Sequence, residues 1–274
     1  MSGVADKGWV SIHMPFTQNA GAKIYWDSLG SGDPILLIMG LGWTSDMWFR
    51  TRPVLSARYR TIALDNRGVG RSDVPPGPYS IALMASDALA VLDEAHVPRA
   101  HIFGVSMGGM IAQEFALQYP ARVRSLVLGC SYAGGPTAVR AEQRVLDVLA
   151  KRADDPDEYG RALNPFIYDS ATPPERIAED MAIRRQWWPD PAGFMAQLQA
   201  IMAWECYSRL PQISAPTLIL HGESDQLIPP ANADVISNRI RGSQLIRIPH
   251  ASHVFSTDQP APSHSALFAF LSAQ

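Results

Sequence analysis

The sequence predicts an α/β protein with a mostly parallel, doubly wound sheet flanked by helices and interrupted by an inserted helical cap. Three observations support this fold class: short continuous apolar runs recur along the chain, helical patterns separate them, and one long region breaks the alternation. Apolar runs without polar alternation are typical of strands buried on both faces. Alternating strands and helices favour a parallel sheet with helices on both sides.

The apolar runs predict six core strands. The run ILLIM, between Pro34 and Gly40, is the first of them. Two shorter strands are expected before it, joined by a turn that contains Asn19-Ala20-Gly21. The expected strands are residues 9–13, 23–27, 35–39, 61–64, 100–105, 123–128, 217–220 and 244–248.

Helical patterns fill most of the gaps between these runs. Ser80 is a candidate N-cap for a helix whose apolar residues recur on one face from Ile81 to Ala95. Further helices are expected at residues 108–119, 231–240 and 262–272. Residues 134–209 contain no convincing strand and are rich in proline and aromatic residues. The expected organisation is therefore a core at 1–133 and 210–274, with a helical cap at 134–209.

The composition excludes several classes of function. The 274 residues are 47% hydrophobic and 18% charged, which is typical of a globular protein with a substantial core. The net charge is −3 and the basic residues are scattered, which argues against nucleic acid or a membrane surface as a partner. No run reaches the roughly 20 apolar residues of a membrane span, and no signal-peptide pattern is present, so a cytoplasmic location is expected. None of these features indicates an oligomeric state.

The stretch GVSMGG, residues 104–109, carries the clearest chemical signal. It places Ser106 in a G-x-S-x-G pattern after a predicted strand and before a predicted helix, which is the sequence of a nucleophile elbow. Gly104 and Gly108 are expected to relieve crowding in the tight turn, and Gly109 to allow close packing of the following helix. The pattern predicts that the Ser106 hydroxyl projects from the sheet as a nucleophile.

A serine nucleophile needs a base that is itself oriented by an acid, and in elbow proteins these follow in the order acid, then histidine. Asp225 follows the strand at 217–220, and His253 follows the strand at 244–248. Both lie past the carboxyl ends of predicted strands, where ligands of open parallel sheets bind. Asp225 is preferred to Glu223 and Asp258, and His253 to His250.

The remaining site residues follow from the same chemistry. The backbone N–H groups of Leu41 and Met107 are the expected oxyanion donors. Trp43, Trp187 and Trp204 are the expected substrate-binding residues of a mostly apolar pocket, which favours a moderately hydrophobic substrate over a highly charged one. Cys130 and Cys206 have no metal-ligand spacing, and neither do the histidines and carboxylates, so no metal and no cofactor are expected.

The chain resembles the α/β-hydrolase superfamily through the motifs MGLGWTSDMW, DNRGVGRSD, GVSMGG, LILHGESDQLIPP and HASHVF. Within it, the chain is most similar to cytoplasmic esterases and lactonases related to 3-oxoadipate enol-lactonase and to cofactor-free haloperoxidases. Many relatives have His-Gly where this chain has Met39-Gly40, which leaves details of the oxyanion loop open. The resemblance implies that DNRGVGRSD is a structural turn in which Arg67 and Asp73 pair internally.

The expected function is hydrolysis of a small ester or lactone through a Ser-His-Asp triad and an acyl-enzyme. Serine at the elbow, where relatives with other chemistry have aspartate, argues against dehalogenation and epoxide hydrolysis. Three alternatives stay open at this point: perhydrolysis with apparent haloperoxidase activity, carbon–carbon bond hydrolysis, and a ligand receptor that retains the triad.

Overall fold

The computed structural model describes residues 15–151 and 154–274. Eight strands form one sheet: β1 (Phe16–Asn19), β2 (Ala22–Leu29), β3 (Asp33–Ile38), β4 (Tyr59–Leu64), β5 (Ala100–Val105), β6 (Val123–Gly129), β7 (Thr217–Gly222) and β8 (Gln244–Ile248). Their order is β1-β2-β4-β3-β5-β6-β7-β8. Strands β3 to β8 run parallel, whereas β2 pairs antiparallel with both β1 and β4. The predicted fold class is confirmed.

Helices cover both faces of the sheet. They are α1 (Arg52–Leu55), α2 (Ile81–Glu94), α3 (Met107–Gln118), α4 (Gln143–Ala150), α5 (Pro156–Ile167), α6 (Pro174–Gln186), α7 (Pro191–Ala203), α8 (Ala231–Ser237), α9 (Phe255–Asp258) and α10 (Pro260–Leu271). Short 3₁₀ turns span Ser45–Arg50, Pro120–Arg122 and Leu210–Gln212. In the part of the chain that the structure describes, no helix combines the length and apolar character needed to cross a membrane.

The apolar runs are strands because both faces of the sheet are covered. Along β3, Leu36 and Ile38 pack into one hydrophobic core, whereas Ile35 and Leu37 pack into the other. All four side chains are fully buried. Since successive side chains of a strand point to opposite faces, a strand between two cores needs no polar alternation.

The first hairpin differs from the expectation. The turn at Asn19–Gly21 connects β2 to β1, whereas the strand predicted at 9–13 lies outside the described residues. Strand β1 has the sequence FTQN, of which only Thr17 is buried. Without an apolar pattern, such a strand gives no periodic signal.

Four helices, α4 to α7, lie between β6 and β7, within the block expected at 134–209. An isolated antiparallel bridge joins Gly134 to Glu205 at the two ends of this block. Close to that bridge, the Trp204 indole N–H and the Arg209 guanidinium donate to the Glu114 carboxylate on α3. These contacts attach the end of the inserted block to helix α3, which packs on the sheet. The status of the inserted helices as a separate cap unit stays a prediction.

Candidate active site

The connection between β5 and α3 holds Ser106 in a strained backbone conformation. Its φ of 55° and ψ of −122° are unusual for a residue with a side chain. Two hydrogen bonds hold the turn against the end of β6: the Ser106 N–H donates to the Gly129 carbonyl at 2.8 Å, and the Ser131 hydroxyl donates to the Ser106 carbonyl at 2.9 Å. The turn therefore has the geometry of a nucleophile elbow.

The glycines on either side of the serine are required by backbone contacts. A Cβ atom on Gly104 would lie 2.0 Å from the Gly108 carbonyl oxygen. A Cβ atom on Gly108 would lie 2.1 Å from the Ile38 carbonyl oxygen at the end of β3. Because neither oxygen belongs to a side chain that could rotate away, both positions exclude larger residues. The same contacts bring the loop after β3 against the elbow.

Asp225 follows β7 and is buried, with each carboxylate oxygen occupied. Oδ1 accepts the N–H groups of Leu227 and Ile228, both at 2.9 Å. Oδ2 lies 2.8 Å from Nδ1 of His253, which follows β8. Since a carboxylate only accepts, Nδ1 carries the proton and Nε2 is left as the free nitrogen of the imidazole. The structure thus joins the predicted acid to the predicted base.

Contacts with two histidines set the protonation state of Asp225. Burial by itself raises the pKa of this carboxyl, but His253 and His221 lower it by charge and by hydrogen bonding. The lowering outweighs burial, so the pKa lies well below its usual range. Asp225 is therefore ionised at neutral pH, as an acid that orients an imidazole must be.

His221 is a second histidine on the same carboxylate; from its place beside Gly222 at the end of a predicted strand, it is expected to be a structural rather than a catalytic histidine. Its Nε2 donates to the Ile228 carbonyl at 2.8 Å and lies 3.3 Å from Asp225 Oδ2. The position of His221 at the end of β7, four residues before Asp225, is the sequence feature that places it beside the acid. The Cys130 thiol lies close to the His221 and Asp225 side chains, so that their potential metal-ligand atoms are within 4.8 Å of one another. With Nε2 donating to the carbonyl, the neutral imidazole of His221 carries its lone pair on Nδ1, which is buried and has no hydrogen-bond partner in the described part of the chain.

The rejected candidates lie away from this arrangement. His250 and Glu223 are exposed, and neither contacts Asp225 or His253. Asp258 is buried, and it accepts the Thr172 hydroxyl at 2.6 Å and the Ser252 N–H at 2.7 Å. Asp258 therefore holds the loop that carries the histidine but does not reach the imidazole.

Ser106 and His253 line one cavity of about 510 Å³. Among residues 15–151 and 154–274, the Ser106 hydroxyl has no hydrogen-bond partner, so the structure brings these two residues to one cavity without joining them. Catalytic hydrogen bonds of this kind are often long before substrate binds. The serine's assignment as nucleophile stays a prediction.

Two backbone N–H groups close to Ser106 have no hydrogen-bond partner among the described residues. Met107 is the first residue of α3, where an N–H has no partner inside the helix. Leu41 lies in the loop after β3, and its N–H donates to no group in the described part of the chain. Gly40, before it, packs on the elbow: a Cβ there would lie 3.1 Å from the Ser106 Cβ. Both expected oxyanion donors therefore flank the serine.

The three tryptophans expected to bind substrate lie in the cavity wall: Trp43, Trp187 and Trp204. Trp187 also stacks with the guanidinium of Arg71, 4.9 Å from its ring centroid. The Met107 side chain is buried in the core and is not among the residues that line the cavity. Trp188, a further aromatic residue of the inserted block, also lines the cavity.

Comparisons with known proteins agree with this architecture. A family model described as "alpha/beta hydrolase fold" matches residues 33–166. A protein from Azorhizobium caulinodans, RutD, whose name gives carbamate hydrolysis as a provisional activity, is 32% identical over 266 residues, covering 94% of this chain and 98% of the relative. The chain belongs to the α/β-hydrolase superfamily.

Solved structures of other α/β-hydrolases extend the likeness to nearly the whole chain. A hydrolase from Pseudomonas aeruginosa is 28% identical with a TM-score of 0.82, covering 95% of this chain and 99% of the other. The enol-lactonase from Burkholderia xenovorans is 25% identical with a TM-score of 0.83, covering 94% and 100%. The predicted resemblance is confirmed, and the comparisons support a hydrolase activity in general terms.

In this α/β-hydrolase, one inserted helix contacts the loop after β3 directly. Gln197, on α7, accepts the Gly42 N–H at 2.9 Å and donates to the Arg67 carbonyl at 2.7 Å. Its side chain is fully buried. Since an amide can both accept and donate, Gln197 ties two loops together in a way that a carboxylate could not. No sequence signal pointed to this residue.

The charged residues Arg67 and Asp73 of the turn DNRGVGRSD have partners inside the protein and do not line the cavity, but they do not pair with each other. Arg67 forms two hydrogen bonds with Asp87 on α2, both at 2.6 Å, and both side chains are buried. Asp73 instead accepts the backbone N–H of Lys23 at 2.8 Å. The partner of Arg67 lies on the buried face of a helix rather than within the turn.

Proposed function

We propose that the chain is a serine hydrolase that cleaves a carboxylic ester or lactone bond of a small, moderately hydrophobic substrate. Ser106 is the nucleophile, His253 the base and Asp225 the acid, and the N–H groups of Leu41 and Met107 form the oxyanion hole. The observation that carries the proposal is the Asp225–His253 hydrogen bond of 2.8 Å beside a cavity into which the Ser106 elbow opens.

In the proposed mechanism, His253 Nε2 takes the Ser106 proton while the serine oxygen attacks the substrate carbonyl carbon. Asp225 keeps the imidazole in the required tautomer and stabilises the imidazolium. The two N–H groups stabilise the oxyanion, each worth about 3 kcal/mol in comparable enzymes. His253 then protonates the leaving alkoxide. In the second half, His253 activates the water that hydrolyses the acyl-enzyme.

Ester or lactone cleavage has support beyond the site. The enol-lactonase neighbour matches this chain over almost its whole length at 25% identity. The cavity wall is mainly apolar and aromatic, which suits a hydrophobic acyl or lactone group. We extend the proposal to cytoplasmic location and to inserted helices that act as a cap over the serine.

A carbamate is the second candidate substrate. It is favoured by the 32% identity to the Azorhizobium caulinodans relative over 94% of this chain. The same nucleophile, base and oxyanion donors serve either reaction, because a carbamate also presents a carbonyl carbon with a leaving group. The substrate panel below therefore includes carbamates.

The proposal is tested by steady-state hydrolysis of p-nitrophenyl esters, lactones and aryl carbamates of graded chain length. Turnover by the wild type is expected to fall at least about 10³-fold in Ser106→Ala, since the covalent route is lost. Ser256→Ala is the matched control, because it also removes a serine hydroxyl from the cavity wall. Equal activity in Ser106→Ala and the wild type would refute the assignment. No turnover of any substrate by the wild type would favour carbon–carbon cleavage, perhydrolysis or a receptor.

A further inference from the structure

Arg184 is a buried cation in the wall of the catalytic cavity. It lies near the C-terminal end of α6, and only 5% of the residue is exposed. Of the charged side chains that line the cavity in the described residues, Arg140 and Asp147 are exposed. Arg184 is thus a charge that burial shields from water, in direct contact with the space that receives substrate.

No carboxylate in the described residues forms an ion pair with Arg184. Its Nε is buried without a hydrogen-bond partner. Its Nη1 has only two weak contacts, with the Asn164 amide oxygen at 3.4 Å and the Met181 sulfur at 3.2 Å. Buried arginine is ordinarily paired with an anion, so this side chain lacks its usual counter-charge.

Asp180, an acid whose charge acts on Arg184, already has other partners. Asp180 Oδ1 pairs with Arg50 at 3.2 Å, and its Oδ2 accepts the hydroxyls of Tyr168 at 2.9 Å and Thr257 at 2.7 Å. Burial lowers the pKa of Arg184, and the charges of Tyr168, Tyr159 and Asp180, together with a hydrogen bond to Tyr168, offset that lowering only in part. The protein therefore does not neutralise this guanidinium by itself.

Two tryptophans hold the guanidinium in place. Its central carbon lies 4.8 Å from the ring centroid of Trp43 and 5.9 Å from that of Trp188. Both rings also line the cavity. Stacked aromatic rings restrict the guanidinium while its edge N–H groups remain able to donate, which is an arrangement suited to binding a planar anion.

We propose that Arg184 binds a carboxylate of the substrate, so that the substrate is an ester or lactone with one anionic group in addition to its apolar part. This inference rests on the proposed function and makes its substrate class more specific. The apolar part packs against the tryptophans, and the carboxylate supplies the counter-charge that the protein lacks. A carboxylate and a guanidinium match in planar, two-point hydrogen bonding.

The test compares pairs of p-nitrophenyl esters: mono-p-nitrophenyl succinate, glutarate and adipate, each with a free carboxylate, and the same three compounds with that carboxylate converted to a neutral methyl ester. For the best chain length, the wild type is expected to show a higher kcat/KM for the anionic ester. Arg184→Gln should lower that kcat/KM about 10- to 100-fold, the range for one hydrogen bond to a charged group, and should change the neutral ester less than about threefold. Arg184→Lys should keep part of the preference.

Arg140→Gln is the matched control, because Arg140 is an exposed arginine of the same cavity. It should leave the ratio of anionic to neutral turnover unchanged. The ratio does not depend on how much enzyme is folded, so partial unfolding of Arg184→Gln leaves the test valid. The proposal is overturned if the wild type shows no anionic preference at any chain length, or if Arg184→Gln lowers both esters equally.

A binding measurement separates this inference from the proposed reaction. Calorimetric titration of Ser106→Ala with monomethyl succinate, glutarate and adipate should detect binding that is lost when Arg184→Gln is added. If no ester is turned over by the wild type but this binding is found, the proposed reaction fails and the anion site stands. If esters are hydrolysed but binding is indifferent to Arg184, the anion site fails and the reaction stands.

Discussion

Replacing Asp225 by asparagine tests the hydrogen bond on which the proposed mechanism depends. In the wild type, Oδ1 accepts the N–H groups of Leu227 and Ile228, and Oδ2 faces His253 Nδ1. An amide has only one acceptor atom, and the two backbone N–H groups require it. The NH₂ group of the introduced asparagine would then face Nδ1 as a donor. His253 would have to accept on Nδ1 and carry its proton on Nε2.

That tautomer cannot remove the Ser106 proton, because the nitrogen facing the cavity is already protonated. Loss of the correct tautomer costs about 10⁴ in kcat where this has been separated from other effects, or about 5.5 kcal/mol of activation free energy. We expect a loss of about 10³- to 10⁴-fold for Asp225→Asn with a p-nitrophenyl ester, with KM changed much less. Circular dichroism should stay close to wild type, since the two side chains have the same shape, whereas the thermal midpoint should fall, because the lowered pKa of Asp225 means that the folded protein stabilises its charged form.

Glu223→Gln is the control for this variant. It makes the same carboxylate-to-amide change two residues earlier, at an exposed side chain that does not contact His253. Its kcat should stay within about twofold of wild type, as for most surface substitutions. If Asp225→Asn retained a tenth or more of wild-type kcat while correctly folded, the assignment of the acid would be wrong.

Three further perturbations test how the fold supports the site. Burial raises the pKa of Asp258 to about 6. The protonated carboxyl therefore stabilises the fold at low pH, and this stabilisation is lost as the pH rises through about 6. In urea unfolding, Asp258→Asn should lower the free energy of unfolding by about 1.4 kcal/mol less at pH 8 than at pH 5. Arg67→Met should cost about 3–5 kcal/mol by leaving Asp87 buried and unpaired, and adding Asp87→Leu should recover most of it; no recovery would contradict the coupling. Gly104→Ala should cost more than about 3 kcal/mol, because its Cβ would lie 2.0 Å from a backbone oxygen, and a near-normal thermal midpoint would contradict this.

The strands were predictable because burial on both faces leaves an unbroken apolar run. Each of the six core runs coincides with a strand of the sheet, as Ile35 to Ile38 do in β3. Helix α2 was predictable at its start as well, because the Ser80 hydroxyl accepts the Leu83 N–H at 3.0 Å. Both signals are local. Strand β1 has neither signal, since it is held by its pairing with β2 rather than by its own composition.

The Arg67–Asp87 pair shows where local signals stop. In the sequence, Asp73 lies close to Arg67 along the chain, within the same turn. The observed partner is Asp87 on α2, whose carboxylate is fully buried and also accepts the Asn19 amide at 2.8 Å. An acid on the core face of a helix looks unfavourable in the sequence alone. Only the packing of the turn against the helix supplies the positive charge that makes its burial acceptable.

The difference between local and long-range contacts also explains why the sequence predicts the candidate reaction but not the candidate substrate. The elbow depends on contacts within a few residues of Ser106, and the acid and base each follow a strand whose end is visible in the sequence. Arg184 has a role only because α6 turns it between Trp43 and Trp188 while Asp180 is taken by Arg50. In the sequence it is one arginine among several on a polar helix. A hydrolase of this fold can therefore keep its chemistry fixed while its substrate class changes with single residues on the inserted helices. The ratio of kcat/KM for charged and neutral esters reports the effect of such residues on substrate choice more directly than overall activity does.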